Sequence, residues 1–297
     1  MSEVLKEIAS YGMIPVLSID KASRAVPLAR ALQKGGLPLM EVMFRTDAAA
    51  ESIRLIAQNV PGFTVGAGTV LTVEQAERAI AAGAVFLVAP GFNPRVCEYA
   101  ISRNVPIVPG CVSPSEVDAA RCLGLKVLKF FPAVQNGGVG AMKLLSGPYP
   151  DITFVPTGDL DRPLAYEYLS FRRVDAAGGD FMLKYEDIYA DNYAKIERDV
   201  SETVSDYLRL RLRRVEIGGA GAEARPSLFP ELLAFSGEPG STVELSTRDL
   251  PRACWHFKRR GAVFEEESAQ YAADGTLSAI RFKDSRGGLR VYLVQEE

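Results

Sequence analysis

Short apolar runs recur along the chain, separated by stretches in which apolar residues return every three or four positions. The runs are "MIPVLS" from Met13, "LPLMEVMF" from Leu37, "FTVGAGT" from Phe63, "AVFLVAP" from Ala84, "PIVPG" from Pro106, "KVLKFF" from Lys126, "ITFVP" from Ile152 and "RVDAAGG" from Arg173. Consecutive starts lie 20–26 residues apart. The runs are continuous rather than alternating in polarity, so each predicts a strand buried on both faces, as in a parallel sheet. Helix start signals fill the gaps. Asp20 precedes "KASRAVPLARALQKG", Thr72 opens "TVEQAERAIAAG", and Ser113 opens "SPSEVDAARCLG" with proline at the first helical position. Eight strands alternating with helices at this spacing predict an α/β fold, a (β/α)8 TIM barrel, over residues 1–212. A doubly wound open sheet is the competitor, but it favours a glycine-rich first turn, and this one is "SIDKAS".

The pattern changes after Gly179. "DNYAKIERDVSETVSDYLRLRLRR" predicts a polar helix that closes the barrel, and "IGGAGAEARPS" a linker. From Ser241 onward the order is strand, helix and three strands, a small α+β (βαβββ) unit within 213–297. Ser246 and Thr247 precede its helix, Gly261 stops it, and turns fall at "ADG" and "SRGG". So few residues make a small core, which implies packing on the barrel or on another copy.

Composition narrows the function. The 297 residues are 47% hydrophobic and 24% charged, and the net charge of −3 gives no footprint for nucleic acid or an anionic membrane. No run approaches the ~18 apolar residues of a membrane helix. The start, "MSEVLKEIASYG", predicts a short amphipathic helix rather than a targeting segment. The four cysteines, Cys97, Cys111, Cys122 and Cys254, are scattered and support neither a disulfide framework nor a zinc site. A cytoplasmic protein without metal or cofactor is expected.

Chemistry concentrates in two runs. In "LPLMEVMFRT", Leu39, Glu41, Met43 and Arg45 share one strand face and Met40, Val42 and Phe44 the other. The all-apolar face must meet the helices, so Glu41 and Arg45 point inward. The same parity groups Val127, Lys129 and Phe131. A lysine amine attacks a carbonyl only when neutral, and in water its pKa is about 10.4. Apolar neighbours such as Leu128 and Phe130 disfavour the ammonium form, which suits Lys129 to imine formation, with Glu41 moving protons. A structural ion pair between Glu41 and Lys129 explains the same residues equally well.

The strand motifs "MIPVLSID", "MEVMFRT", "VGAGTVL", "VAPGFNP", "PIVPG", "LKFFPA", "NGGV" and "FVPTGD" resemble, in order, those of the 2-keto-3-deoxy-6-phosphogluconate aldolase family, which includes 4-hydroxy-2-oxoglutarate aldolases. The resemblance runs from about Met1 to Leu212. It implies a class I aldolase with Lys129 as Schiff-base former and Glu41 as proton shuttle. Arg45, Thr69 and Thr157 then hold the pyruvyl carboxylate, Pro90 and Phe131 complete the site, and a homotrimer is implied. In that family the seventh and eighth strands end in P-T-G-G and G-G-S, which cradle a phosphate. Here Gly158 is followed by Asp159, and Gly179 by Asp180; Val134 stands where the family has a glutamate. Two carboxylates oppose a phosphate, so the expected substrate is an unphosphorylated 2-keto-3-deoxy sugar acid, cleaved to pyruvate and an aldehyde. Three alternatives compete over the aspartates and the substrate. In the first, both turn outward as helix caps, a role better suited to Asp161; in the second, the pair holds a divalent cation; in the third, the substrate is phosphorylated or is 4-hydroxy-2-oxoglutarate. A non-catalytic sugar-acid binding protein, or another lyase or epimerase using Lys129 only as a cation, remains open.

The C-terminal βαβββ order resembles half of a vicinal-oxygen-chelate (glyoxalase-like) module. Such modules chelate metal from strands, whereas the sole histidine, His256, lies on the predicted helix beside Trp255, and Tyr292 occupies the last strand. The resemblance therefore implies no metal here, with His256 and Trp255 in the helix packing face.

Overall fold

Eight short strands carry the apolar runs: β1 (Met13–Leu17), β2 (Leu39–Met43), β3 (Thr64–Gly68), β4 (Leu87–Ala89), β5 (Ile107–Pro109), β6 (Val127–Phe130), β7 (Thr153–Pro156) and β8 (Ala177–Gly179). The computed structural model describes residues 1–217, 220–222, 242–283 and 289–296. They fall into two compact units, Met1–Thr203 and Val204–Glu297.

In the first unit every strand pairing is parallel. Six strands pair in the order β5-β4-β3-β2-β1-β8, and β6 pairs with β7. Single bridges join the two groups: Gly110 to Lys129, Phe154 to Val174 and Thr157 to Gly178. The strands are almost wholly buried, as continuous apolar runs require. Helices alternate with them: α1 (Glu3–Tyr11), α2 (Ala25–Lys34), α3 (Ala49–Asn59), α4 (Val73–Ala81), α5 (Pro94–Ser102), α6 (Pro114–Cys122), α7 (Gly138–Ser146), α8 (Arg162–Leu169), α9 (Tyr185–Tyr189) and α10 (Tyr193–Leu208). The caps follow the chain's own signals. Thr72 accepts the Gln75 N–H, Ser113 and Glu116 form a reciprocal capping box, and Asp161 accepts the Leu164 N–H at 2.9 Å.

One helix start differs. Asp20 does not cap; its carboxylate pairs with Arg24 at 2.5 Å, and a 3₁₀ turn over Ala22–Arg24 leads into α2. Pro27 is the reason. An α-helix begun at Lys21 would bring Pro27 into its interior, where the ring strikes a carbonyl one turn back, whereas α2 as formed holds it in the first turn.

The second unit is one six-stranded sheet with a helix. Its elements are β9 (Arg211–Ile217), β10 (Ala220–Ala222), β11 (Thr242–Thr247), α11 (Leu250–Arg259), β12 (Phe264–Tyr271), β13 (Leu277–Phe282) and β14 (Arg290–Gln295). The order is β10-β9-β11-β14-β13-β12, with β11 and β14 parallel and the other neighbours antiparallel. This unit starts before residue 213, at Val204. The end of α10 is built into it: the Tyr207 hydroxyl donates to Asp249 at 2.6 Å and Thr247 donates to the Leu208 carbonyl at 2.7 Å. The expected polar helix accordingly stops at Leu208, and "RLRR" continues as β9. Part of the expected linker is also strand, since Ile217 ends β9 and Ala220–Ala222 form β10. The rest of that linker and the "SRGG" turn lie outside the described residues.

Ser246 and Thr247 belong to β11, and Asp249 caps α11 instead. His256 is buried on α11 beside Ala253 and Cys254. Among the described residues no helix is long and apolar enough to cross a membrane, and no three His, Cys, Asp or Glu side chains group to hold a metal ion.

Candidate active site

Parallel strands place their C-terminal ends at one rim, and the expected site residues gather there. Lys129 on β6 is 6% exposed and Glu41 on β2 is 1% exposed. The Lys129 Nζ lies 3.8 Å from Glu41 Oε1 and 5.1 Å from the centre of the Phe131 ring. Burial pushes the Glu41 carboxyl above its ordinary range, against the opposing pull of Lys129 and Arg45. A group so placed takes up and returns protons nearer neutrality than an exposed glutamate does.

Room for that carboxylate comes from Gly68 at the end of β3. A Cβ there would sit 1.9 Å from Glu41 Oε1 and 2.5 Å from its Cδ and Cγ. Gly68→Ala is therefore expected to swing Glu41 away from Lys129 and lower kcat by about a hundredfold, the usual scale for misplacing a catalytic group. Steady-state kinetics beside a melting curve check this; an unchanged kcat would show that Glu41 does not act from this position.

A cavity of about 590 Å³ opens above Lys129. Arg45, Thr69, Pro90, Phe131, Thr157, Gly158, Asp159, Gly179 and Asp180 all line it with Lys129, whose Nζ has the buried Glu41 carboxylate 3.8 Å away. Arg45 arrives differently from the parity argument. β2 ends at Met43, and Arg45 sits in the following turn, its N–H bonded to the Met43 carbonyl at 2.8 Å. Thr69 in the same lining holds φ at +55°, a costly conformation for a β-branched residue. Thr157 is 4% exposed, and its Oγ1 is buried without a hydrogen-bond partner, as is Glu41 Oε1. Such atoms are rare because each costs about 1–3 kcal/mol. Thr157 thus holds a polar group ready in the cavity that the lysine also lines.

The cavity lining also carries two acidic side chains. Asp159 and Asp180 both border it and both are exposed. Asp159 adopts φ +50°, a left-handed conformation natural to glycine and tolerated by aspartate, and accepts a bond from Gln135 Nε2 at 3.3 Å. The cap of α8 is Asp161, so Asp159 has no capping duty there. Gln135 and Tyr185 also line the cavity and escaped the strand-based reading because they lie in connections. Gln135 follows "FFPAV" directly, so its place after a strand's C-terminal end was a usable signal. Tyr185 lies beyond β8 on α9 and carries no periodic signal.

Comparison with known proteins joins this geometry to a family. The family model described as KDPG and KHG aldolase matches residues 3–199. The chain belongs to the KDPG and KHG aldolase family. It is thus a class I aldolase, a carbon–carbon lyase. A 2-dehydro-3-deoxy-phosphogluconate aldolase from Treponema pallidum is 44% identical over 196 residues, 66% of this chain and 93% of that protein. The Haemophilus influenzae protein of the same name is 37% identical, covering 68% of this chain and 95% of its own. Among solved structures, the KDPG aldolase of Legionella pneumophila, with pyruvate captured as a covalent carbinolamine, superposes with a TM-score of 0.66 at 33% identity. It covers 68% of this chain and 98% of that one. The Zymomonas mobilis enzyme with 3-phosphoglycerate gives 0.63 at 32% identity, covering 68% and 95%. The second unit lies outside the matched family region.

The raised Glu41 carboxyl gives this aldolase a pH signature. If Glu41 must be ionised to accept a proton, kcat/KM falls as pH drops through a pKa above the ordinary ~4.3. Glu41→Gln is expected to remove that acidic limb and lower kcat by about a hundredfold or more. A limb unchanged in the variant would assign it to another group.

Proposed function

We propose that this aldolase cleaves an unphosphorylated 2-keto-3-deoxy sugar acid to pyruvate and an aldehyde, through an imine on Lys129. The observation that carries the reading is a buried amine 3.8 Å from a buried carboxylate, lining a cavity that two aspartates also line. The strand pairings and bridges support reading the first unit as a closed (β/α)8 barrel, whose chemistry sits at this rim.

The steps follow from the positions of the groups. The neutral Lys129 amine adds to the C2 carbonyl, and loss of water gives the imine. A base removes the C4 hydroxyl proton, the C3–C4 bond breaks, and its electron pair moves through C3 to the imine nitrogen. An aldehyde leaves and an enamine remains. Protonation at C3 and hydrolysis release pyruvate and the free lysine. Glu41 is placed to give and take the protons of these steps. Arg45 supplies charge to the substrate carboxylate, and Thr69 and the unsatisfied Thr157 hydroxyl supply hydrogen bonds. Asp159 and Asp180 in the same lining accept hydrogen bonds from hydroxyls and disfavour a phosphate.

The test is the intact mass of the protein after incubation with pyruvate and borohydride. A single pyruvyl addition supports the imine. No addition would leave a sugar-acid binding protein, or a lyase using Lys129 as a cation, as the better reading.

A further inference from the structure

Tyr185 shares with Asp180 both the cavity lining and the adjoining surface recess. Its hydroxyl oxygen accepts the Ser18 N–H at 2.9 Å, from the residue just past β1. That bond occupies a main-chain donor at the rim, so this amide is not free to hold an anionic tail. It also orients the phenol, whose hydrogen is the polar handle that remains. Burial, together with the negative charge of Asp180, raises the Tyr185 phenol above its usual range, so it stays protonated and able to donate.

The segment carrying Tyr185 is clamped in place. Arg24 donates to the Tyr189 carbonyl at 2.9 Å and to Asp191 at 3.1 Å, and its guanidinium lies 5.7 Å from the centre of the Tyr189 ring. With the Ser18 contact this makes several attachments between α9 and the connection after β1. A side chain held this way loses little freedom on meeting a ligand, which is what selectivity from a single hydroxyl requires.

We infer that Tyr185 is a specificity-determining residue that donates a hydrogen bond to a hydroxyl of the substrate's tail while Asp180 accepts one from it, so that the site selects polyhydroxy aldehydes over plain alkyl aldehydes. This rests on the imine chemistry proposed above. A sugar hydroxyl is both donor and acceptor and satisfies phenol and carboxylate together. A phosphate, with acceptor oxygens and negative charge, satisfies the phenol alone. An alkyl tail satisfies neither and leaves the rim groups desolvated.

The reaction is run in the aldol direction, where pyruvate and an aldehyde form one carbon–carbon bond and need no other reactant. Wild type and Tyr185→Phe are compared with pyruvate plus D-glyceraldehyde and pyruvate plus propanal, and borohydride trapping with pyruvate alone is measured on both proteins. The expected result is a preference of wild type for glyceraldehyde. Tyr185→Phe then loses about tenfold in kcat/KM for glyceraldehyde, mainly through KM, as one neutral hydrogen bond predicts. Propanal turnover and the pyruvyl adduct stay unchanged. Equal losses on both aldehydes, or no loss on either, would overturn the assignment of Tyr185 while the adduct keeps the imine chemistry intact. Absence of the adduct in wild type would instead overturn the imine chemistry, and this inference with it.

Discussion

Lys129→Ala abolishes the pyruvyl adduct and lowers aldol cleavage on the order of 10⁴-fold or more, the scale on which loss of a covalent nucleophile is felt. The Glu41 carboxylate, from the middle of β2, and the Phe131 ring, just past β6, lie close to the Lys129 Nζ. Among the described residues no other lysine lines the cavity. Lys129→Arg separates covalent from electrostatic roles. Arginine keeps the positive charge beside Glu41 but stays protonated and forms no imine. An inactive Lys129→Arg that still melts like wild type supports nucleophilic catalysis. Activity within about tenfold of wild type would mean that the residue acts only as a cation, and a different lyase chemistry would have to be sought.

The route from sequence to this site shows where pattern suffices. Runs such as "KVLKFF" and "LPLMEVMF" are too apolar to lie anywhere but in a sheet covered on both faces, so Lys129 and Glu41 could be placed inward from parity alone. Capping residues with short-range partners, Thr72, Ser113 and Asp161, could also be read directly. Parity lost its force at Arg45, because the strand ends two residues earlier and a turn takes over. "LRLRLRR" from Leu208 alternates with period two and signals a strand, yet its continuity with a helical stretch masked the switch that opens the second unit. Tyr185 and Gly68 were out of reach for another reason. One owes its place to a bond with Ser18, some 167 residues away in sequence, and the other to the absence of a Cβ beside Glu41. Neither relation is local, so no window of sequence contains it.

The double variant Asp159→Gly, Asp180→Ser is expected to move specificity toward phosphorylated tails by about a hundredfold in kcat/KM, measured with 2-keto-3-deoxygluconate and its 6-phosphate as paired substrates. The size of the effect depends on exposure. Two unit charges about 4 Å apart repel by roughly 4 kcal/mol at an effective dielectric of 20, but by only about 1 kcal/mol in water. Both aspartates are exposed in the cavity lining, so the lower figure governs. A phosphate bearing about −1.5 to −2 then meets up to about 3–4 kcal/mol from the two carboxylates before salt screening. Screening reduces this to nearer 3 kcal/mol, or about a hundredfold. Glycine at 159 suits the backbone, since φ there is already +50°. Stability should therefore hold, and the pyruvyl adduct should form as before because neither substitution touches Lys129 or Glu41. The effect should shrink as salt rises, which a change in cavity shape alone would not produce. If wild type already turns over the phosphorylated substrate better and the double variant leaves that ratio unchanged at low salt, the aspartates do not face the tail. The site would then belong with the phosphogluconate aldolases it resembles in sequence.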